Sequence, residues 1–562
     1  MTSRIWLCLI TTVIIAHPVA SQSSSEYQRS QQDLSNSVSP GAQIFLNAFE
    51  TIRNYGLEQM ADSVLWEKAL RGLLKELNDP YAQAYNPLEF DQFRESNTGN
   101  YAGIGVQITH LNEAITITAV FNSTPAERSG LQVGDRIIGV NEISTEGWTT
   151  GNVSDSIRGK IGTTVDVTIA RQGIGAAVTS TITRDSVHVT AVIADVVGDN
   201  LGYIALDRVA RGSAVEVQQA LEKLAGTRGI VLDLRGNPGG YLDESLKIGD
   251  LFLERGSRLA SAESRSPGGT DRNIDESWNA RGPEIVPGKP IIILVDRFSA
   301  SASEIIAGAL QDHDRALILG ERTFGKGVFQ NVFRLSDDRH LRLSTGEWFT
   351  PLGRSLHRRR NVQGRTLPED PDTFPIVITA GGRELSGGGG VFPDQRISND
   401  TLTLNERAFL SQMAQKQIPF DLRIEEFAFE QSERNRRDGS SEPTLESADF
   451  KAFVSALEEE SQLEESLSTN EIQNYLRSRI LPRIAQRMEK PGRSVPIRTR
   501  SCFERSLTLI ECRTKTVRSF QRVGRIPASA LILADIAQLS HPLGWYFLCT
   551  SCKCLRSTCV YI

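Results

Sequence analysis

Cysteine is missing from the long middle of this chain. Seven occur in 562 residues, and none lies between Cys8 and Cys502, so disulfides and thiolate metal sites are excluded from that stretch. Histidine is as sparse, also at seven, and no His-Glu-x-x-His occurs, which argues against a zinc metallopeptidase. No Gly-x-Ser-x-Gly elbow surrounds Ser301, the serine to which the argument below leads. Excess positive charge is absent too: the net charge is −6, so no nucleic-acid partner is implied. The N-terminal apolar run, Ile5 to Ala16, is short for a membrane span. With Arg4 before it and Pro18-Val19-Ala20-Ser21 after it, it reads as a secretory signal over residues 1–21. The expected location is therefore periplasmic or otherwise extracytoplasmic, with membrane association left open.

The chain does hold a set of motifs in a meaningful order. Pro290-Ile291-Ile292-Ile293-Leu294-Val295 is a continuous apolar, β-branched run and reads as a buried strand. Phe298-Ser299-Ala300-Ser301-Ala302-Ser303-Glu304 follows, and Ile305 to Leu310 reads as a helix. Ser301 thus falls on a strand-to-helix turn, where free N–H groups and the positive helix end suit an oxyanion. Lys326 stands 326 − 301 = 25 positions on, within Gly325-Lys326-Gly327. A neutral lysine can take the proton of a serine hydroxyl. Alone, the small-residue run reads as packing and Gly-Lys-Gly as a solvated turn. Together with Asp233-Leu234-Arg235-Gly236-Asn237-Pro238-Gly239-Gly240, a strand ending in a loop fit for binding anions through its N–H groups, they point to catalysis.

Other chemistries fit less well. Gly320 to Lys326 spells Gly-x-x-x-x-Gly-Lys, but Gly327 stands where a phosphate-binding loop needs Ser or Thr. His313 or His340 could serve a Ser/His/Asp triad, but His313 falls near the end of the helix that Ser301 opens. Cys549, Cys552, Cys554 and Cys559 include one Cys-x-x-Cys, without the second that a zinc site would need. No metal and no cofactor are expected.

The motifs already quoted, with Gly320-Glu321-Arg322-Thr323-Phe324-Gly325-Lys326-Gly327 and Thr350-Pro351-Leu352-Gly353-Arg354-Ser355, resemble the carboxyl-terminal processing (tail-specific) proteases. These are serine peptidases with a Ser/Lys dyad, and the likeness runs over about residues 45 to 400 in family order. It implies Ser301 as nucleophile, Lys326 as base and Gln330 as the group orienting the lysine. The oxyanion hole would use the backbone N–H groups of Ala302 and of a glycine in the Asn-Pro-Gly-Gly loop, Gly239 in preference to Gly240, and Asp312 would be supportive. Leu352 departs from the family's usual serine, away from the dyad.

The resemblance also orders the domains. After the signal, residues 22–40 read as a disordered linker and 41–97 as helical. Residues 98–186 resemble a PDZ domain, with Gly103-Ile104-Gly105-Val106 as its carboxylate-binding loop and an apolar pocket near Ile104 and Val106. Residues 187–400 would be a crotonase- or Clp-protease-like α/β catalytic core, and 401–490 a charged helical region. Residues 491–562 form a basic, cysteine-containing tail that reads as an unrelated or out-of-frame extension. The expected protein is an exported serine endopeptidase acting on proteins or peptides with accessible C-termini. An adaptor, a homo-oligomer and membrane proximity stay open. The alternative is a secreted PDZ-type peptide-binding scaffold without catalysis.

Overall fold

The computed structural model describes residues 39–488 apart from 112, 172, 199, 266–271, 398–401 and 441–442, together with 559–561. The proposed signal, most of the linker and nearly all of the tail lie outside the described residues. The chain divides into two units, residues 1–77 and 78–562.

The first unit contributes two helices, α1 (Pro40–Tyr55) and α2 (Asp62–Glu76). Ser39 caps α1, its hydroxyl accepting from Ala42 N at 3.2 Å. Phe49 is buried and stacks on Trp66 with ring centroids 3.9 Å apart.

The second unit opens with strand β1 (Gln83–Tyr85) and helix α3 (Pro87–Thr98), which starts with an Asn86–Glu89 capping box. A small α+β body follows: β2 (Asn100–Gly103), β3 (Val106–Leu111), β4 (Ala114–Val120), α4 (Pro125–Arg128), β5 (Arg136–Val140), β6 (Ile143–Ser144), α5 (Thr150–Ile157), β7 (Thr164–Ala170), β8 (Val178–Thr183) and β9 (Asp185–His188). Its main sheet runs β3-β4-β5-β7-β8, with β6 on β5, while β2 pairs with β9. Alternating residues such as Val165, Val167 and Ile169 face one core together with Ile108, Ile117 and Val153.

The next body alternates strand and helix: β10 (Val192–Val197), β11 (Leu201–Leu206), α6 (Ser213–Lys223), β12 (Ile230–Asp233), α7 (Leu242–Asp250), β13 (Arg258–Arg265), β14 (Arg272–Asn279), β15 (Ile291–Val295), α8 (Ala302–Asp312), β16 (Leu317–Gly320), β17 (Val328–Arg334), β18 (His340–Phe349) and β19 (Gln395–Arg396). The central sheet has the order β10-β11-β12-β15-β16-β19 and is parallel from β11 onward. Both faces are covered. Ile291, Ile293 and Val295 join the core formed with α6, α7 and α8, while Ile292 and Leu294 join a second cluster with Tyr203 and Leu319. Burial on two faces explains why these strands read as unbroken apolar runs. A second sheet, β1-β18-β13-β14 with β17 on β18, lies beside it in the chain's order of pairing.

Five helices close the described body: α9 (Leu404–Gln415), α10 (Phe420–Arg437), α11 (Ser447–Ser461), α12 (Glu464–Leu467) and α13 (Asn470–Met488). Phe409, Ile424, Phe450 and Tyr475 share their core, and Glu425 binds Arg483 and Arg487. One short strand of the tail, β20 (Cys559–Tyr561), pairs antiparallel with β3. No helix among the described residues is long and apolar enough to cross a membrane.

Candidate active site

Three adjacent parallel strands, β12, β15 and β16, end on one edge of the central sheet, and the loops that follow them carry the motifs. After β15 the chain turns sharply. Asp296 closes the turn by accepting from Phe298 N and Ser299 N, at 2.9 and 3.0 Å. It also accepts from Gly236 N of the β12 loop at 2.9 Å. Ser299 Oγ donates to Leu234 O at 2.8 Å. These bonds lock the two loops together in a buried setting, and burial pushes the Asp296 carboxyl up from its ordinary pKa.

Ser301 then stands at φ 56°, ψ −115°, just before α8. A serine pays a conformational cost there of about 1–3 kcal/mol, and the fold overrides it. The N–H of Ala302, the first residue of α8, has no acceptor among the described residues, as suits an anion site at a helix start. Gly239 lies against this turn. A Cβ on it would sit 2.6 Å from Ala300 O and 2.8 Å from Ala302 N, and its φ is +94°, so only glycine fits. Its N–H, however, donates to Asn237 Oδ1 at 2.9 Å. That corrects the expectation of Gly239 as an open oxyanion donor: the Asn side chain closes a local turn and takes the N–H first. The neighbouring Gly240 N–H has no acceptor among the described residues.

Lys326 approaches from the β16 loop. Gly325, at φ +85°, lets the loop press on Arg358, whose Cβ would lie 2.6 Å from an added Cβ. Trp348 Nε1 donates to Lys326 O at 3.2 Å. The Lys326 amine is held down at a pKa of about 8, first by burial and then by the Arg342 guanidinium, while Glu304 and Asp79 pull the other way. Its Nζ lies 4.8 Å from the centroid of the Tyr81 ring.

The residue that unites the two halves is Glu304, which the sequence offers only as a first-turn residue of α8. Its carboxylate is fully buried. Oε2 accepts from Ser301 N at 2.7 Å and from Lys326 N at 2.8 Å. Oε1 accepts from Gly325 N at 2.7 Å and from Thr323 Oγ1 at 2.5 Å. One carboxylate therefore holds the backbones of both Ser301 and Lys326. Burial pushes its pKa up, and these four donors oppose that rise. The pattern Ser301-x-x-Glu304 is the capping-box signal that could have flagged it.

Gln330 departs from expectation. Its amide nitrogen donates to Val328 O at 3.3 Å, and it forms no hydrogen bond with Lys326. Asp312 lies at the far end of α8 in a fully buried ion pair with Arg354. Arg354 also donates to Gln311 Oε1 and Ser386 O, both at 3.0 Å, and Leu352 N donates to Asp312 Oδ2 at 2.8 Å. This pair pins the Thr350–Ser355 turn to α8. Asp233 plays a similar bracing part, accepting from Tyr203 Oη at 2.6 Å and Arg235 Nε at 2.9 Å.

In the smaller body, the Gly103–Val106 loop leaves the N–H groups of Ile104 and Gly105 without acceptors among the described residues. Their carbonyls are taken by Ala126 N and Phe121 N, at 2.8 and 2.9 Å. The side chains of Ile104 and Val106 are fully buried. They belong to the domain core and do not line an open pocket, because the pleat turns them inward.

Comparison with known proteins identifies the family. The model of peptidase family S41 matches residues 200–364, and that of the PDZ domain matches residues 92–170. A carboxy-terminal-processing protease of Bartonella bacilliformis is 35% identical over 353 residues, covering 61% of this chain and 79% of its own. The carboxy-terminal processing protease CtpA of Bacillus subtilis is 30% identical, covering 58% of this chain and 68% of its own. Among solved structures, the photosystem II D1 C-terminal processing protease aligns with 65% of this chain and 95% of its own, at 25% identity and a TM-score of 0.36. The chain belongs to peptidase family S41, the carboxy-terminal-processing proteases, with a PDZ domain ahead of an α/β peptidase domain.

Proposed function

We propose that this protein is an exported serine endopeptidase that cleaves proteins selected by their C-termini, through an acyl-enzyme on Ser301 with Lys326 as general base. The observation that carries the reading is the shared carboxylate of Glu304, which fixes a strained serine and a buried lysine to each other through their backbones. Neutral Lys326 takes the hydroxyl proton as Ser301 Oγ attacks the scissile carbonyl carbon. The carbonyl oxygen, now anionic, accepts from Ala302 N–H, with Gly240 N–H as the second donor in place of Gly239. Protonated Lys326 then gives its proton to the leaving amine. A water, deprotonated by the same lysine, attacks the ester and frees Ser301. The vacant N–H groups of Ile104 and Gly105 support a PDZ loop that takes a terminal carboxylate, and strand addition would use the edge of β3 on which β20 lies, so a substrate would have to displace that strand.

The test is cleavage of one long unstructured substrate, with a free or an amidated C-terminus, by protein lacking residues 1–21. Wild type should cut the free acid faster than the amide, with chelator present and no nucleotide added. Ser301→Ala and Lys326→Arg should be folded and inactive, because guanidinium does not give up its proton. Turnover by folded Lys326→Arg would overturn the base assignment. Equal rates on acid and amide would overturn the role given to the loop. A wild type that binds the peptide and never cuts it would favour the scaffold alternative.

A further inference from the structure

The first residues of the second unit sit beside the dyad without any part in the chemistry described so far. Tyr81 follows Asn78-Asp79-Pro80 in a tight turn, its N–H donating to Asp79 Oδ1 at 2.9 Å. Asp79 is anchored on β18: Ser344 N and Ser344 Oγ donate to its carboxylate at 2.9 and 3.1 Å. Arg342 Nε donates to Tyr81 O at 3.2 Å, and β1 pairs with β18 just beyond. The turn is therefore clamped to the strand at several points. What the clamp achieves is to hold the Tyr81 ring 4.8 Å from Lys326 Nζ.

We infer that Tyr81 is a positioning residue for the base: its ring covers the Lys326 amine, excludes water from it and so keeps it free of a proton. The inference rests on the Ser301/Lys326 reading and adds the device that makes the lysine usable.

A ring face also attracts a cation, which would favour the protonated amine. The two effects oppose each other, and their sizes decide between them. The attraction of a ring for an ammonium is smaller than the hydration that an ammonium loses on burial. Covering the amine with carbon therefore disfavours its charge on balance, in line with burial as the leading cause of its lowered pKa. The other charges facing the amine are Arg342 from β18, which also disfavours its proton, and Glu304 from α8 and Asp79 from the same turn, which favour it. Arg360 faces the Tyr81 hydroxyl from the far side.

Three substitutions separate the effects: Tyr81→Phe keeps the ring, Tyr81→Leu keeps apolar cover without a ring face, and Tyr81→Ala opens the amine to water. The primary readout is the pH dependence of Lys326 labelling by an amine-selective reagent, followed by mass spectrometry on folded protein. It reports the amine without relying on catalysis. In Tyr81→Ala the labelling midpoint should rise by about one pH unit, about tenfold less neutral amine at pH 7. Tyr81→Phe should restore the wild-type midpoint, and Tyr81→Leu should lie close to it. A midpoint that stays put or falls in Tyr81→Ala would overturn the inference, because the ring would then act as a cation partner or as mere packing. The acid limb of cleavage is measured alongside. If labelling shifts as expected and that limb does not follow it, the cover is real and Lys326 is not the base.

Discussion

Replacing Glu304 by glutamine tests whether one buried carboxylate organises the site. Glutamine has nearly the same shape but exchanges an acceptor oxygen for an NH2 group. In wild type both oxygens face donors only. The NH2 is best placed where Oε1 now stands, since the Thr323 hydroxyl can turn and accept from it, whereas Ser301 N and Lys326 N cannot. Gly325 N–H then loses its acceptor inside the protein. One unsatisfied buried N–H costs about 1–3 kcal/mol, so Glu304→Gln should lower stability by about that amount and still fold. The remaining bonds to Ser301 N and Lys326 N become neutral and weaker, and a small displacement of either group should reduce kcat about 10–100-fold. The pH dependence gives a sharper sign. Glu304 favours the protonated form of Lys326, so removing its charge should move the acid limb of the rate profile to lower pH even as kcat falls. Urea denaturation and a pH–rate profile of the purified variant check both parts. A variant with full activity, or with its acid limb moved to higher pH, would refute the argument.

Three further outcomes are expected. Ser301→Gly should abolish cleavage yet raise stability by about 1–2 kcal/mol, since glycine adopts φ 56° without strain; chemical denaturation reads this directly. Lys326→Met should also be inactive and more stable near neutral pH. The amine titrates at about 8 when folded and at about 10.4 when unfolded, so its burial penalty of about 3 kcal/mol is complete below pH 8 and fades as pH rises; the gain over wild type should shrink toward pH 10. Asp312→Asn, which strips the charge from the partner of buried Arg354, should cost about 3–5 kcal/mol, while Asp312→Leu with Arg354→Met should recover much of that loss in the same denaturation assay.

Much of the site was legible because its signals are local. The unbroken run Ile291–Val295 means a strand buried on both faces, and the small residues after it mean a tight turn into a helix. The same holds for the α/β alternation and for the lysine between two glycines. What could not be read are contacts that close through space. Glu304 read only as a first-turn residue of its helix, because its reach to Gly325 and Lys326 depends on β15 and β16 being neighbours. Tyr81 gave no signal, because its partner lies 326 − 81 = 245 residues away. Gly239 misled for the opposite reason: the competitor for its N–H, Asn237, is only two residues away, and an Asn before Pro-Gly-Gly is itself a turn signal. Gln330 was placed from motif position alone, and its amide nitrogen bonds Val328 O within β17.

The parallel order of β12, β15 and β16 also governs when the three motif-bearing loops can meet. The Gly236–Gly240 loop, Ser301 and Lys326 each follow a different strand, and those parallel strands are joined by crossover connections rather than by tight turns. Because the three segments run from β12 to the β16 loop, no fragment shorter than that span can bring the Gly236–Gly240 loop, Ser301 and Lys326 together. Pairing of distant parallel strands is among the slower steps of folding. A chain in which these strands are still unpaired therefore carries all three segments apart from one another. The sheet topology thus ties the meeting of the three loops to completion of the fold.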